Sequence, residues 1–314
     1  MRKFLLSVGV CVVFAGIGFA YADTKPQETT IGLLAAEPQW LAAASKIAKK
    51  IDHENGMRVV PMLGEGGLRG LNDLSNLPLV DAAIISSDSL NYASSRDLLN
   101  GQQDRFSYIA KLSSLNVVLI AKQSISNVAA LAGKRIATGP AQSAAFATGE
   151  LILNGLNISF TRVAKQDDAA VNALINGEAD AALILGTDIS TSGLSDGRFH
   201  VLELQASPDL AKIYQPAILT SRELPGLVVG KQSVETLATS LTLAVIDRPQ
   251  DLAHKKLLEN FTSLMFKLSD GDSGANLAAA VLGWKRYADS QKILEQSQVN
   301  RLDNVKITPT GGKP

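Results

Sequence analysis

Short apolar runs alternate with segments of helical periodicity along most of the chain. Runs rich in Val, Ile, Leu and Ala predict strands at 30–34, 58–63, 79–85, 117–121, 135–138, 181–185, 200–204 and 237–246. Apolar residues spaced three and four apart predict helices at 40–51, through Leu71 and Leu74, and at 252–268 and 275–294. Because strand and helix alternate, we expect an α/β protein whose mostly parallel sheet carries helices on both faces.

The most informative stretch of the pattern is 131–186. A buried strand is followed there by a Gly-Pro turn and by a helix whose first turn holds Ser143, Ala144 and Ala145. A helix N-terminus offers unpaired N–H groups and a partial positive charge, and small residues let a ligand approach the backbone. A second helix and a strand that ends in glycine complete the stretch. It therefore predicts a βαβ unit with an anion-binding helix N-terminus.

Five loops follow the carboxyl ends of predicted strands, where open α/β sheets bind ligands. Each has a plain structural alternative, because a glycine pair can be only a turn and a serine or aspartate only a helix cap. Together the loops predict a single cleft between two α/β units. They are 37–40, 64–67, 86–88, 139–145 and 186–188.

The first residues have the pattern of a secretory signal peptide. Arg2 and Lys3 precede an almost wholly apolar segment at 4–19, and Ala-Tyr-Ala at 20–22 is an A-x-A cleavage site. An uncleaved N-terminal anchor helix is the alternative. We expect export to the periplasm, cleavage after Ala22 and a soluble mature chain without a membrane span.

Charge and motif content restrict the function further. Without Arg2 and Lys3 the chain has 28 basic and 30 acidic residues, a balance that argues against nucleic acid and anionic membranes as partners. The single cysteine, Cys11, lies in the predicted signal peptide, so no disulfide is expected. The three histidines lack metal-ligand spacing, and no complete dinucleotide or P-loop motif occurs. We therefore expect a binding protein rather than an enzyme, with neither metal nor cofactor.

The order of motifs resembles a known family. The segments that carry the resemblance are GEGGLR at 64–69, DAAIISSD at 81–88, LAGKRIATGP at 131–140, the helix from Ser143, and GEADA at 177–181. The chain is similar to type 2 periplasmic solute-binding proteins, and among them to the TAXI family, the receptors of certain TRAP transporters. The resemblance implies two α/β lobes, each a mostly parallel sheet flanked by helices, joined by two crossing hinge segments. Lobe 1 would comprise 23–121 and 230–314, and lobe 2 would comprise 122–229.

The same resemblance implies a monomeric receptor that closes on a small anionic, carboxylate-type metabolite and delivers it to a membrane permease. Ser143 and Ala144 would hold the carboxylate, and Trp40 would form a wall. Arg69 is a candidate counter-ion, and the alternative for it is a solvated position on the helix surface. The remaining residues would face the ligand or orient its polar end. The predicted ligand-binding residues are Glu37, Trp40, Gly66, Gly67, Arg69, Ser87, Asp88, Ser143, Ala144 and Asp188.

The first loop departs from the family pattern. TAXI receptors typically have a glycine-rich loop after the first strand, whereas this chain has LAAEPQW at 34–40. Glu37 and Trp40 place an acid and an indole near the predicted cleft, which would repel or reshape a simple dicarboxylate site. The alternative function is therefore a periplasmic accessory or interaction protein that keeps the fold without a transported solute, for example one that assists an exported oxidoreductase or sensor.

Overall fold

The computed structural model describes residues 29–228, 230, 232–268 and 277–306, and side chains as far as 297. The predicted signal peptide with Cys11 and the last residues of the chain lie outside these ranges.

Eight of the ten strands in the described chain pair in a continuous path through two sheets, and β8 and β9 branch from it by pairing with β4 and β10. The first sheet has the order β2-β1-β3-β10-β4, in which β1, β2 and β3 are parallel and β10 is antiparallel to both of its neighbours. Its strands are β1 (Thr29–Ala35), β2 (Met57–Leu63), β3 (Ala82–Ser86), β4 (Phe106–Lys122) and β10 (Ser233–Ile246). The helices between them are α1 (Leu41–Ile51), α2 (Gly67–Asn76) and α3 (Ser87–Ser95).

The second sheet continues the path from β4 in the order β4-β7-β5-β6. Strands β5, β6 and β7 are parallel to one another, and β7 and β8 pair with β4 in the antiparallel sense. Its elements are β5 (Arg135–Ala137), α4 (Ala144–Gly155), β6 (Thr161–Val163), α5 (Asp167–Ile175), β7 (Ala181–Leu185) and β8 (Phe199–Val201). Strand β9 (Gln215–Thr220) follows β8 in the chain and pairs with β10.

Two long strands, β4 and β10, link the two α/β units. In β4, residues 106–116 pair with β10, and residues 117–121 pair with β7. In β10, residues 233–238 pair with β9, and the remainder pairs with β3 and β4. The predicted fold class, two α/β lobes joined by two crossing segments, is confirmed by this topology. The lobe boundaries at 121/122 and 229/230 stay a prediction, and the names lobe 1 and lobe 2 are kept for the two sheets with their helices.

The segment before the last helix differs from the sequence prediction. Helices α6 (Leu252–Lys267) and α7 (Ala288–Lys306) follow β10. The predicted helix at 275–294 is therefore confirmed over 288–294 and wrong over 278–287, which is not helical. The N–H of Tyr108 donates to Lys285 O at 3.0 Å and the N–H of Tyr287 donates to Tyr108 O at 2.8 Å. Pairing of this segment with β4 therefore replaces the local hydrogen bonds that a helix would form.

Strands β6 and β9 were not predicted, and β4 extends eleven residues further toward the N-terminus than its apolar run indicates.

The apolar core explains why the crossing strand β4 reads as a continuous hydrophobic run. Val117, Leu119 and Ala121 pack in the main cluster, whereas Val118 and Ile120 pack in a second cluster beneath α5 and β7. Successive side chains point to opposite faces of a strand, so both faces are buried. A strand that is covered on both faces needs apolar side chains at successive positions, as at 117–121.

Asp180, just before β7, ties three strands of lobe 2 together. Its carboxylate accepts from Lys122 Nζ at 2.6 Å and from the Arg135 backbone N–H and Nε at 3.1 and 3.2 Å. The Arg135 guanidinium, with help from Lys122, holds the pKa of Asp180 well below its usual range. The ionised carboxylate therefore stabilises the junction of β4, β5 and β7 above the ordinary aspartate pKa, and this contribution is lost in strong acid.

We expect Asp180→Asn to lower the free energy of unfolding at neutral pH by about 1 kcal/mol, because it weakens charge-assisted hydrogen bonds that solvent partly screens. Denaturant unfolding at a series of pH values measures the loss, which should shrink as the pH falls below about 4. The control is Asp209→Asn, which removes the exposed pair with Lys212 and should change nothing measurable. An equal effect of the two substitutions would contradict the assignment.

Candidate functional site

The helix N-terminus predicted to bind an anion is present in lobe 2. Ser143 is the N-cap of α4, is 3% exposed, and its hydroxyl oxygen accepts from the Phe146 N–H at 3.1 Å. Ala144 is the first helical residue and is also buried. The N–H of Ala144, the first residue of the helix, has no acceptor within the helix, so it is available to an anion.

A second helix N-terminus meets the first from lobe 1. Gly66 is the N-cap of α2, with φ 126°, and Gly67 is its first residue. The N–H of Leu68 donates to Gln142 O at 2.9 Å, a backbone hydrogen bond between the lobes. A Cβ on Gly66 would lie 2.5 Å from the Gln142 carbonyl oxygen, so only glycine permits this approach.

The carboxylate of Glu37 lies between the two helix N-termini. Its Oε1 accepts from the Ala144 N–H at 2.7 Å and from the Gly67 N–H at 3.0 Å. Its Oε2 accepts from Gln166 Nε2 at 3.3 Å. Glu37 is 2% exposed. A side chain of lobe 1 therefore receives donors from both lobes at the position where the sequence predicted a carboxylate ligand.

The backbone around Glu37 is fixed on both sides. The N–H of Ala36 donates to Ile84 O at 3.1 Å, and the N–H of Gly66 donates to Ala36 O at 2.7 Å. After Glu37 the chain turns at once, because the N–H of Trp40 donates to Glu37 O at 3.0 Å. The loop thus holds the side chain of Glu37 in one place.

Burial and hydrogen bonding act on the Glu37 carboxyl in opposite directions. Burial raises its pKa above the ordinary glutamate value. The donors from Ala144, Gln166 and Gly67 oppose this rise, and the nearby charge of Asp167 adds to it. The N–H groups of two helix N-termini favour the ionised form that they bind.

Asp88 forms a second polar contact between the lobes. It is fully buried at the start of α3, and its Oδ2 accepts from Thr148 Oγ1 at 2.6 Å and from Tyr214 Oη at 2.9 Å. Its Oδ1 has no hydrogen-bond partner among the described residues. Burial raises the pKa of Asp88. Burial together with the charge of Asp88 raises the pKa of Tyr214, which stays a neutral donor.

An aromatic contact also joins the lobes. The rings of Tyr92, on α3, and Phe146, on α4, meet edge to face with centroids 5.5 Å apart. Leu68 and Leu151 pack against this pair. Apolar side chains of lobe 1 therefore pack directly on lobe 2.

The remaining predicted ligand residues lie in other surroundings. The Ser87 hydroxyl is 3.0 Å from Thr239 Oγ1 and accepts from the Ser240 N–H at 3.2 Å, so it contacts the crossing strand β10. Trp40 is buried in the main apolar core. Their roles toward a ligand stay predictions.

Two of the predicted residues are charged side chains outside this polar cluster. Arg69 Nε pairs with Asp73 Oδ1 at 2.9 Å along α2, and the Arg69 side chain is 47% exposed. Asp188 is exposed in the turn that follows β7. Neither the Arg69 nor the Asp188 side chain is hydrogen-bonded to the Glu37 carboxylate.

Sequence reasoning missed Gln166, Thr148, Tyr214 and the ring pair. Helical spacing signals some of them, since Thr148 is one turn beyond Ala144 and Tyr92 is one turn beyond Asp88, on the same helix face. Gln166 and Tyr214 precede an α-helix and a strand respectively, and no local pattern marks them.

No group of three or more His, Cys, Asp or Glu residues within the described ranges is placed to hold a metal ion. In the same part of the chain, none of the helices has the length and apolar character needed to cross a membrane.

We expect Gly66→Ala to destabilise the protein more than Gly133→Ala. Gly133 also has a positive φ, 72°, but a Cβ there meets open space, so its substitution adds only backbone strain of about 1–2 kcal/mol. Gly66→Ala adds a clash with the Gln142 carbonyl, which should cost about 1–3 kcal/mol more. Thermal unfolding of the two variants measures the difference, and equal losses would contradict a close contact between the lobes at Gly66.

Comparison with known proteins gives structural likenesses only. No protein-family model matches the chain, and no curated protein sequence matches it. A TctC solute binding protein from Polaromonas is 11% identical with a TM-score of 0.48, covering 88% of this chain and 98% of its own. The periplasmic binding protein BugD is 13% identical with a TM-score of 0.49, covering 88% and 96%. MatC from Rhodopseudomonas palustris, with bound malate, is 19% identical with a TM-score of 0.47, covering 88% and 98%. The function is therefore argued from the residues of the site.

Proposed function

We propose that the protein is an exported two-lobe binding protein, held closed by its own Glu37, that acts as a periplasmic accessory or interaction protein. The observation that carries the proposal is the pair of hydrogen bonds from Gly67 and Ala144, on different lobes, to one Glu37 oxygen. The carboxylate that the two helix N-termini are built to bind is supplied by the chain itself.

A tethered carboxylate competes strongly with a free one. Linking a group to its site gives it an effective concentration of about millimolar or more without any new contact. The loop around Glu37 is also fixed by hydrogen bonds on both sides, which lowers the entropic cost of placing the side chain. A dissolved carboxylate has to displace Glu37 and leave that buried acid without its donors. Capture of simple carboxylates is therefore disfavoured.

The other contacts between the lobes support the same function. Asp88 accepts hydrogen bonds from Thr148 and Tyr214, and the rings of Tyr92 and Phe146 are in direct edge-to-face contact. A solute receptor presents its closed shape to a partner only after binding. In this protein the closed shape would be presented without a solute.

The second candidate is the receptor function that the sequence suggests, with a TAXI-type site and a TRAP-type permease as partner. Two helix N-termini that converge on one carboxylate favour it, because a ligand carboxylate could replace that of Glu37. The two candidates differ in whether the wild-type protein responds to free carboxylates.

We expect Glu37→Ala to lower the free energy of unfolding by about 2–4 kcal/mol, since the N–H groups of Gly67 and Ala144 lose a charged acceptor. Acetate should raise the unfolding temperature of this variant, with a rise that grows with the logarithm of the acetate concentration, by binding in the space that the carboxylate leaves. Acetamide, which has the same shape without the charge, should raise it less. Thermal unfolding against the concentration of each compound makes the measurement.

Glu65→Ala is the matched control, because Glu65 is an exposed glutamate in the loop that leads to α2. Its unfolding temperature should equal that of the wild type and should not change when acetate is added. Glu37→Gln keeps the shape of the side chain and should be less destabilised than Glu37→Ala. Acetate binding to Glu65→Ala but not to Glu37→Ala would contradict the assignment of the site.

The wild-type protein decides between the two candidates. Its unfolding temperature should stay constant across a panel of mono- and dicarboxylates if Glu37 holds the site. If one of these carboxylates raises the unfolding temperature of the wild type, at concentrations where Glu37→Ala also responds, the receptor function replaces the proposed function.

A further inference from the structure

We propose that the closed protein binds an acidic segment of a partner protein through Arg96 of lobe 1 and Arg162 of lobe 2, on the exposed side of the contact between the lobes. The inference rests on the proposed function, because it names the surface by which a closed protein without a solute is recognised. Three features of this surface support it: its charges, a recess beside it, and its dependence on closure of the lobes.

Each of the two arginines stacks on one ring of the aromatic pair that joins the lobes. The guanidinium carbon of Arg96 is 5.7 Å from the centroid of the Tyr92 ring, and that of Arg162 is 4.5 Å from the centroid of the Phe146 ring. The two ring centroids are 5.5 Å apart. The order across the contact is therefore guanidinium, ring, ring, guanidinium, and each lobe supplies half of this row.

The charges of Arg96 and Arg162 are available to a partner. Both residues are exposed, and within the described part of the chain their side chains contact rings and form no ion pair. Stacking on a ring fixes the plane of a guanidinium and leaves the N–H groups at its edge free. Such an edge donates two parallel hydrogen bonds to a carboxylate. The two guanidiniums therefore suit a partner that carries carboxylates.

A recess of about 560 Å³ lies beside the guanidinium of Arg162. A volume of this order accepts a small ligand or the side chains of a short segment. Two phenylalanine rings form part of its wall, and aromatic residues and arginine contribute much of the binding energy in protein interfaces. The residues that line it are Phe146, Glu150, Asn154, Ser159, Phe160 and Arg162.

The acids near the two arginines favour a protein segment over a polyanion. Glu150 lines the recess, and the exposed Asp97 follows Arg96 in the chain. These two carboxylates repel a densely charged chain such as a nucleic acid or a polyphosphate. A peptide can place its acids on the guanidiniums and an apolar side chain against the rings of the recess.

The row of guanidiniums and rings depends on the closed arrangement. Tyr92 and Arg96 lie at the end of α3 in lobe 1, whereas Phe146 is on α4 and Arg162 on β6 in lobe 2. Separation of the lobes would therefore move one guanidinium away from the other. A partner that contacts both guanidiniums binds the closed form in preference to an open one.

Binding of synthetic peptides provides the test. The probes are fluorescently labelled, amidated hexapeptides that combine Asp and Glu with Phe or Leu in varied order, and fluorescence anisotropy at low ionic strength in carboxylate-free buffer measures their affinity. The tightest acidic peptide should bind at least about tenfold more tightly than the same peptide with each acid replaced by its amide, and added salt should weaken it. Equal affinity for the two peptides would overturn the proposal.

Variants assign the binding to the two arginines. Arg96→Ala and Arg162→Ala should each weaken binding of the acidic peptide by about fivefold, because each removes one charge-assisted contact. The matched control is Arg222→Ala, which removes an exposed arginine in the turn after β9 and should leave the affinity unchanged. Wild-type affinity in both Arg96→Ala and Arg162→Ala would overturn the proposal. Circular dichroism confirms that each variant is folded.

Reversal of the charges separates recognition from a structural role of the arginines. Arg96→Glu combined with Arg162→Glu should lose the acidic peptide and bind the same peptide with Lys in place of each acid. A structural role alone cannot produce this exchange of partners. A double variant that loses the acidic peptide without gaining the basic one would overturn the proposal.

Two further measurements distinguish the other outcomes. Tripolyphosphate is the probe for a polyanion, and its displacement of the peptide at about a tenth of the peptide concentration would overturn the proposal in favour of a polyanion. A rise in the unfolding temperature of the wild type with free carboxylates would contradict the proposed function, but it would leave the order of peptide affinities among the arginine variants unchanged. Absence of peptide binding by a protein that does not respond to carboxylates would overturn this inference alone.

Discussion

The arrangement of the two lobes depends on a single buried carboxylate. Glu37 belongs to lobe 1 but is satisfied only when α4 of lobe 2 brings the Ala144 N–H to it, 107 residues further along the chain. A buried charge without such donors is strongly unfavourable, so burial of Glu37 and closure of the lobes require each other. The glycines at the start of α2 serve the same constraint, because a side chain at Gly66 would keep the two helix N-termini apart.

The crossing strands make this closure a property of the whole fold. Strand β4 pairs in both sheets, and β10 pairs with β9 at one end and with β3 and β4 along the rest, so both strands join the two lobes. Asp88 lies against β10, with its backbone N–H 3.3 Å from Thr239 Oγ1, and Trp284 donates to the Ser87 carbonyl at 2.7 Å. The start of α3 is therefore fixed to the strands that join the two lobes. Buried carboxyl groups contribute to such an interface mainly by selecting one arrangement rather than by adding stability.

The fold was largely predictable because its signals are local. The alternation of apolar runs with helical segments located most strands and helices, and Ser143 was correctly placed at the beginning of α4. The errors concern pairing between distant segments: the N-terminal half of β4, strand β9, and the non-helical stretch at 278–287 that pairs with Tyr108. The same limit applies to the site, since Tyr214 lies 126 residues from Asp88 and no spacing connects them. Glu37 was recognised as unusual in the first loop, but its carboxylate could not be assigned to Ala144 without the topology.

Glu37 also shows why a binding motif alone does not specify a ligand. A helix N-terminus binds a carboxylate in the same way whether the carboxylate is dissolved or attached to the chain. The difference lies in entropy, because the attached group has already lost most of its freedom when the loop folds. One residue in the first loop, held by hydrogen bonds at Ala36 and Trp40, thus places an internal carboxylate at two helix N-termini. The chemistry of the site is unchanged, and the attachment of the carboxylate to the chain decides what occupies it.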